Sequence, residues 1–231
     1  MTATIAESLS SARQRLSQAL QDAGRNADDA LLLAVSKTKP ADMLREAYEH
    51  GQRNFGENYV QEAIDKQHRL SDIDDIVWHF IGPLQSNKTR DVASHFDWVH
   101  SVDREKIARR LSEQRPEEMG PLNICLQVNI SSEASKSGVS LDELDELARQ
   151  VAALPRLRLR GLMAIPAPAS DPRQQREPFA RLRQAFEHLR ERLPDAPLDT
   201  LSMGMSDDME AAVLEGATVV RLGTAIFGAR D

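Results

Sequence analysis

The stretch LLLAVSKTKP, residues 31–40, decides how the rest of the chain is interpreted. Five apolar residues in succession, followed by small polar residues and a proline, predict a buried parallel strand that ends at Thr38. Lys37 then lies at the carboxyl end of this strand, where ligands and catalytic groups collect in α/β proteins. A lysine sheltered there loses solvation, and its neutral amine can form an imine with an aldehyde or ketone. The alternative is a strand-end lysine whose ammonium group stays in water.

Strand and helix patterns alternate eight times along the chain. The predicted strands are residues 31–38, 54–58, 77–82, 98–102, 123–130, 157–165, 200–203 and 219–222. Eight such units at this length indicate the α/β class and a single (β/α)8 TIM barrel. An open doubly wound sheet is the alternative, but no Gly-x-Gly-x-x-Gly follows any early strand.

The N-terminal segment is predicted to cover the barrel from outside. Residues 2–24 have an amphipathic helical pattern, so we expect residues 1–27 to contribute a helix packed on the barrel. No linker, low-complexity tract or short repeat divides the sequence, and residues 1–231 are therefore expected to form one domain.

The bulk composition excludes several classes of protein. A net charge of −7 argues against non-specific nucleic-acid binding. The single cysteine, Cys125, excludes a disulfide framework. No apolar run reaches membrane-spanning length, and the N-terminus lacks the apolar core of a signal peptide. We therefore expect a cytoplasmic protein with no membrane partner.

Two small-residue loops follow the last two predicted strands, the usual place for a phosphate site in a barrel. The first runs from Ser202 through Gly204 to a predicted helix, and the second contains Gly223 and Thr224. Their hydroxyls and backbone N–H groups are suited to an anion. In the alternative interpretation, Ser206 or Asp207 simply caps the helix. Asp207 and Asp208 must point away from a dianion if the phosphate interpretation is right.

Other chemistries find little support in the sequence. The six histidines include no pair three or four residues apart, and no second cysteine is present, so no metal site is predicted. A Ser-His-Asp hydrolase has no Gly-x-Ser-x-Gly elbow to start from. A Schiff-base lysine with a phosphate site therefore leaves two interpretations, a class I aldolase acting on a phosphorylated sugar or a pyridoxal phosphate (PLP) protein.

Six motifs then resemble one known family. They are AVSKT (34–38), FGENY (55–59), WHFIGPLQSNK (78–88), GLM (161–163), LSMGMSD (201–207) and RLGTAIFG (221–228). In this order they are similar to the motif set of the PLP homeostasis proteins, the YggS/PROSC family. That family shares its barrel with the N-terminal domain of bacterial alanine racemase.

The resemblance implies PLP as the cofactor and nine residues that bind it. Lys37 would hold PLP as a Schiff base, and Arg221 would face the pyridine nitrogen. The phosphate would be held by Ser202, Gly204, Gly223 and Thr224. The pocket around the ring would be lined by Asn58, His79 and Met163. Lys88, in the loop after the third strand, is a weaker candidate for PLP handling.

The same resemblance bears on activity. An arginine beside the pyridine nitrogen keeps that nitrogen unprotonated, and the ring is then a poor electron sink. Alanine racemase adds a tyrosine from a second domain, whereas this chain has only Tyr48 and Tyr59 and ends at Asp231. We expect a monomeric carrier and buffer that maintains PLP homeostasis and supplies apo PLP-dependent enzymes, with no catalytic residue. The alternatives are a PLP-dependent amino-acid racemase, a class I aldolase-like enzyme, and a structural partner-binding protein whose PLP is incidental.

Overall fold

Eight parallel strands close into a barrel in the computed structural model, which describes residues 2–131 and 137–229. The strands are β1 (Leu31–Val35), β2 (Asn54–Glu57), β3 (Val77–Phe80), β4 (Trp98–Val102), β5 (Leu122–Gln127), β6 (Leu157–Met163), β7 (Thr200–Ser202) and β8 (Val219–Leu222). Each strand pairs with the next, and β8 closes on β1 with Leu33 opposite Arg221. The expected (β/α)8 TIM barrel is confirmed. Residues 1, 132–136, 230 and 231 of the expected domain lie outside the described residues.

Helices surround the strands. They are α1 (Ile5–Asp22), α2 (Ala41–Glu49), α3 (Val60–Arg69), α4 (Thr89–His95), α5 (Glu105–Gln114), α6 (Leu141–Ala152), α7 (Pro172–Arg192), α8 (Met209–Leu214) and α9 (Thr224–Phe227). Two 3₁₀ turns, Ser86–Lys88 and Glu117–Met119, lie between them. Within the described ranges, no helix combines the length and the apolar character needed to cross a membrane.

The N-terminal helix α1 packs on the outside of the barrel, as predicted. Its first turn is capped by Thr4, whose hydroxyl oxygen accepts the N–H of Glu7 at 3.1 Å. One face of the helix is buried, and its residues recur at helical spacing: Ile5, Leu9, Ala12, Leu16, Ala19 and Leu20. This face lies across α2, α8 and α9.

The main apolar core lies between the sheet and the helices, whereas the barrel interior carries polar side chains. Close strand packing requires one glycine in particular. A Cβ at Gly161 would lie 1.6 Å from the carbonyl oxygen of Thr200, so no other residue fits between β6 and β7.

Several boundaries differ from the sequence expectations, among them that of β3, which ends at Phe80 and not at residue 82, and that of β5, which ends at Gln127 and not at residue 130. Strand β1 ends at Val35 and not at Thr38, because Thr38 adopts a left-handed backbone with φ of 66°. Strand β6 ends at Met163, short of the predicted residue 165. Residues 224–227, for which no helix was expected, form α9.

Candidate functional site

Lys37 lies in a tight turn just beyond the carboxyl end of β1. The N–H of Lys39 donates to the carbonyl oxygen of Ser36 at 3.1 Å and closes the turn. Thr38 follows Lys37 in the left-handed region, which is unusual for a β-branched residue. Its N–H donates to Glu62 Oε2 at 3.1 Å, and its hydroxyl donates to the carbonyl of Lys37. The turn thus fixes the backbone on both sides of Lys37, whose side chain is half-buried.

A buried group of three side chains, Ser36, Glu57 and Lys66, supports this turn from behind; we call it the ion-pair cluster. Lys66 reaches from α3 and donates to the Ser36 carbonyl at 2.7 Å and to the Glu57 carboxylate at 2.9 and 3.0 Å. The Ser36 hydroxyl also donates to Glu57. Burial raises the pKa of Glu57 to about 7, although Lys66 and Ser36 oppose the rise.

Asn58 and Arg221 each present a buried polar atom that has no hydrogen-bond partner in the described chain. These atoms are Asn58 Oδ1 and Arg221 Nε. Arg221 is only 4% exposed, and its terminal nitrogen donates to the Ala164 carbonyl at 3.0 Å. Burial lowers the pKa of Arg221 to about 10, so the guanidinium remains charged at neutral pH. Unsatisfied buried groups are costly, and a ligand with complementary polar atoms satisfies them.

The predicted phosphate residues lie on two adjoining loops. The Arg221 N–H donates to the Gly204 carbonyl at 3.0 Å and joins the loop after β7 to β8. Gly204 has φ of 102°, and a Cβ there would lie 2.7 Å from that of Ala212. Ser202 is buried, Gly223 is half-buried and packs on Val35, and Thr224 is exposed at the rim.

Of the acidic residues of this loop, Asp208 folds back on the loop itself and interacts electrostatically with Arg221. Asp208, and neither Ser206 nor Asp207, is the N-cap residue of α8, and its Oδ1 accepts the N–H of Met205 at 2.7 Å. Asp207 is exposed. Arg15 of α1 binds Glu210 at 2.7 Å and the Ser206 carbonyl at 2.5 Å, which places a positive charge on this side of the loop.

The family model for the N-terminal domain of alanine racemase matches residues 8–231. The chain belongs to this family. It is 60% identical over 228 residues to a pyridoxal phosphate homeostasis protein of Pseudomonas aeruginosa, covering 99% of this chain and 96% of that protein. It is 58% identical over 229 residues to the protein of the same name from Escherichia coli K12, covering 98% and 97%.

Solved structures extend the comparison. PipY of Synechococcus elongatus, in a structure with PLP bound, superposes with a TM-score of 0.86 at 41% identity, covering 97% of this chain and all (100%) of PipY. Alanine racemase of Corynebacterium glutamicum superposes with a TM-score of 0.68 at 19% identity, covering 94% of this chain and 60% of the racemase. The second match shows a shared fold alone.

Of the remaining predicted residues, His79 and Met163 are buried. Both ring nitrogens of His79 are hydrogen-bonded, one to Asn54 and one to His100. Met163 is buried at the end of β6, paired with Ser202 on β7. Lys88 is exposed at the end of the 3₁₀ turn after β3. His79 therefore has both ring nitrogens engaged within the protein, and its place in the cofactor pocket stays a prediction.

Sequence reasoning missed Glu57, Lys66 and His100. Glu57 could have been found from the alternation of side chains along β2. It lies on the same strand face as the apolar Phe55, and a buried carboxylate on that face needs a charged or hydrogen-bonding partner. Cys125, in contrast, is a buried and unreactive thiol, since burial raises its pKa to about 12. Among the described residues, no three metal-binding side chains cluster together.

Proposed function

We propose that this protein binds PLP as a Schiff base on Lys37 and acts as a reversible carrier and buffer of PLP. The observation that carries the proposal is the pair of unpartnered buried atoms, Arg221 Nε and Asn58 Oδ1, at the same end of the barrel as Lys37. A heteroaromatic ligand with a ring nitrogen and a ring hydroxyl has the complementary groups. When bound, PLP supplies an electrophilic aldehyde and an electron-withdrawing ring.

Each side chain contributes a distinct interaction. Lys37 provides the amine, and its turn fixes the backbone from which that side chain extends. Arg221, as a charged guanidinium, keeps a facing ring nitrogen unprotonated and so limits carbanion stabilisation. Ser202, Gly204, Gly223 and Thr224 form the phosphate side of the site. The whole chain, residues 1–231, acts as one PLP-binding unit and as a monomer.

A carrier role is favoured over a racemase by the positions of the two tyrosines. The Tyr48 hydroxyl donates to Asp75, and Arg53 stacks on the Tyr48 ring. Both contacts hold this tyrosine on the outer surface of the barrel. Tyr59 follows Asn58 but is 51% exposed. A racemase needs a second proton donor fixed on the face of the cofactor opposite its lysine. Tyr59 is the residue on which the racemase alternative depends.

The deciding experiment compares Lys37→Arg with Lys39→Arg. The second variant is a matched control, because Lys39 lies two residues away and its Nζ donates to the Ala229 carbonyl at 2.8 Å. After incubation with PLP and borohydride reduction, peptide mass spectrometry should find the phosphopyridoxyl group on Lys37 in the wild type and in Lys39→Arg. The Lys37→Arg variant should carry none there. An unmodified Lys37 in excess PLP would overturn the proposal and favour the aldolase.

Assays of amino-acid turnover and of PLP transfer distinguish the carrier function from the racemase alternative. The loaded wild type should not interconvert L- and D-alanine, whereas a rate abolished by Tyr59→Phe would establish the racemase. Mixed with an apo PLP-dependent enzyme, the loaded protein should restore its activity, and Lys37→Arg should not. No restoration by the loaded wild type would contradict the carrier role.

A further inference from the structure

Four polar side chains form a continuous line through the barrel interior, which we call the histidine line. Asn54, at the start of β2, places Oδ1 3.0 Å from His79 Nε2. His79 Nδ1 lies 2.9 Å from His100 Nε2. His100 Nδ1 lies 2.8 Å from the Ser202 hydroxyl at the end of β7. The line thus joins the amino end of one strand to the carboxyl end of another.

Both imidazoles in this line are neutral. Burial lowers the pKa of His79 to about 3. Burial, followed by the neighbouring His79 and the positive charge of Arg221, lowers the pKa of His100 well below its ordinary value. A neutral imidazole carries one N–H and one bare nitrogen. The two facing nitrogens, His79 Nδ1 and His100 Nε2, therefore share a single hydrogen.

Only two arrangements of hydrogens satisfy every contact in the line. In the first, Ser202 donates its hydroxyl hydrogen to His100 Nδ1, His100 donates to His79, and His79 donates to the Asn54 oxygen. The orientation of Asn54 in the structure, with Oδ1 facing His79, corresponds to this first arrangement. In the second, the Asn54 carboxamide is rotated by 180° so that its NH2 group donates to His79, His79 and His100 both carry hydrogen on Nδ1, and His100 donates to Ser202. The Asn54 carboxamide can serve either arrangement because it has a donor and an acceptor.

The two arrangements differ in whether the Ser202 hydroxyl can donate a hydrogen bond to a ligand. In the first, the hydroxyl hydrogen is occupied, and only oxygen lone pairs remain for a ligand. In the second, the oxygen accepts from His100 and the hydroxyl hydrogen is available for donation. A phosphate dianion accepts hydrogen bonds and does not donate them, and donation to it forms a strong charge-assisted bond. The summed dipole of the second arrangement also turns its positive end toward the anion.

We propose that the histidine line is a positioning device for phosphate recognition, which holds hydrogen on Nδ1 of both His79 and His100 so that the Ser202 hydroxyl donates to the phosphate of bound PLP. This rests on the proposed function, since it requires PLP at Lys37. His79 and His100 act through Ser202 without touching the ligand. Asn54, at the far end of the barrel, completes the line once its carboxamide turns the NH2 group toward His79.

Ring tautomers test the proposal directly. In protein labelled with ¹⁵N-histidine and saturated with PLP, two-bond ¹⁵N–¹H correlation spectra should show the Nδ1–H tautomer for both rings, assigned with His79→Gln and His100→Gln. An Nε2–H tautomer at either ring, with PLP attached to Lys37, would overturn this inference and leave the proposed function intact. Absence of PLP from Lys37 would overturn the proposed function itself.

Ligand affinities provide a second measurement. Ser202→Ala should lower the affinity for PLP relative to pyridoxal, which lacks the phosphate, by roughly tenfold. His100→Leu should also lower the ratio of PLP affinity to pyridoxal affinity. The double variant should lower this ratio no further than Ser202→Ala alone, because His100 acts through Ser202. Cys125→Ala is the matched control, a buried barrel residue outside the line, and should leave the ratio unchanged. Additive losses in the double variant would contradict action through Ser202.

Discussion

The ion-pair cluster and the histidine line are two buried polar groups of opposite character. The ion-pair cluster lies between the sheet and α3, and its ammonium and carboxylate hold the turn around Lys37. The histidine line lies inside the barrel, where no carboxylate of the described residues hydrogen-bonds to the rings, and it remains neutral. Moving one member of a buried ion pair away from the other leaves an uncompensated charge, which is strongly unfavourable. The neutral histidine line instead fixes which member of each hydrogen bond along it is the donor. In our proposals, the ion-pair cluster positions the amine of Lys37 and the histidine line orients the hydroxyl of Ser202.

Breaking the ion pair should have the largest effect on stability. Lys66→Met removes the ammonium and leaves the buried Glu57 carboxylate without its charge partner, which should cost about 3 kcal/mol in the free energy of unfolding at pH 8. The cost should shrink at pH 6, because Glu57 then takes up a proton and becomes neutral. Urea unfolding at the two pH values measures both. A loss that is equal at both would show that Glu57 is not the group left unpaired.

A double variant sharpens this result. Replacing both partners, as in Glu57→Gln with Lys66→Met, removes the buried charge and should recover a large part of the stability that Lys66→Met loses. PLP should still attach more slowly to Lys37 than in the wild type, because the turn has lost its support. Full-rate attachment in the double variant would contradict the role of Lys66 in holding the turn.

Acid should lower the stability of the folded protein through His79. The pKa of His79 is about 3 in the folded protein, below its ordinary value, so between pH 6.5 and 3 the unfolded chain binds a proton that the folded chain does not. Its contribution to stability is present above pH 6.5 and falls by about 1 kcal/mol for each pH unit below it. Urea unfolding at pH 6.5, 5.5 and 4.5 should show a shallower loss for His79→Gln. An equal slope in that variant would overturn the assignment.

Glu57 should oppose this trend. Its pKa is raised to about 7 in the folded protein, so its contribution is present below pH 4.5 and is lost as the pH rises through 7. Glu57→Gln should therefore make the acid loss of stability steeper than in the wild type, in the same series of unfolding measurements. A shallower loss would show that burial does not raise this pKa.

Removing one hydrogen bond from the ion-pair cluster should have a smaller effect. Ser36→Ala deletes the hydroxyl that donates to Glu57 but leaves the Ser36 carbonyl and its bond to Lys66. The expected loss is about 1 kcal/mol. Thermal or urea unfolding measures it, and a loss comparable with that of Lys66→Met would mean that the hydroxyl, and not the ammonium, holds the cluster together.

The smallest effect is expected at the surface pair of Arg15 and Glu210, whose side chains are 36% and 54% exposed. Arg15→Met should change the unfolding free energy by less than about 1 kcal/mol, because water screens the charges. The change should diminish further in high salt. A loss as large as that of Lys66→Met would remove the distinction between buried and exposed pairs.

Local patterns in the sequence predicted much of this molecule. The apolar run before Lys37 predicted β1, and the alternation of strands and helices predicted the barrel. The turn residues 36–38 were wrongly predicted to belong to β1. Thr38 has a left-handed backbone, and its N–H donates to Glu62, a contact with another element that the local sequence does not reveal. Four residues, 224–227, were too few to show a helical period, so α9 was missed.

The sequence by itself determined which residues reach the carboxyl end of the barrel, because strand length and the small residues after each strand are encoded within a few positions. Only the tertiary structure decided which of them meet. His79 and His100 are 21 residues apart, and His100 and Ser202 are 102 apart, so their contacts form only when the barrel closes. Lys66 likewise reaches the Ser36 carbonyl across 30 residues. Hydrogen bonds depend on distance and direction in space, and spacing along the chain specifies neither for residues on different strands.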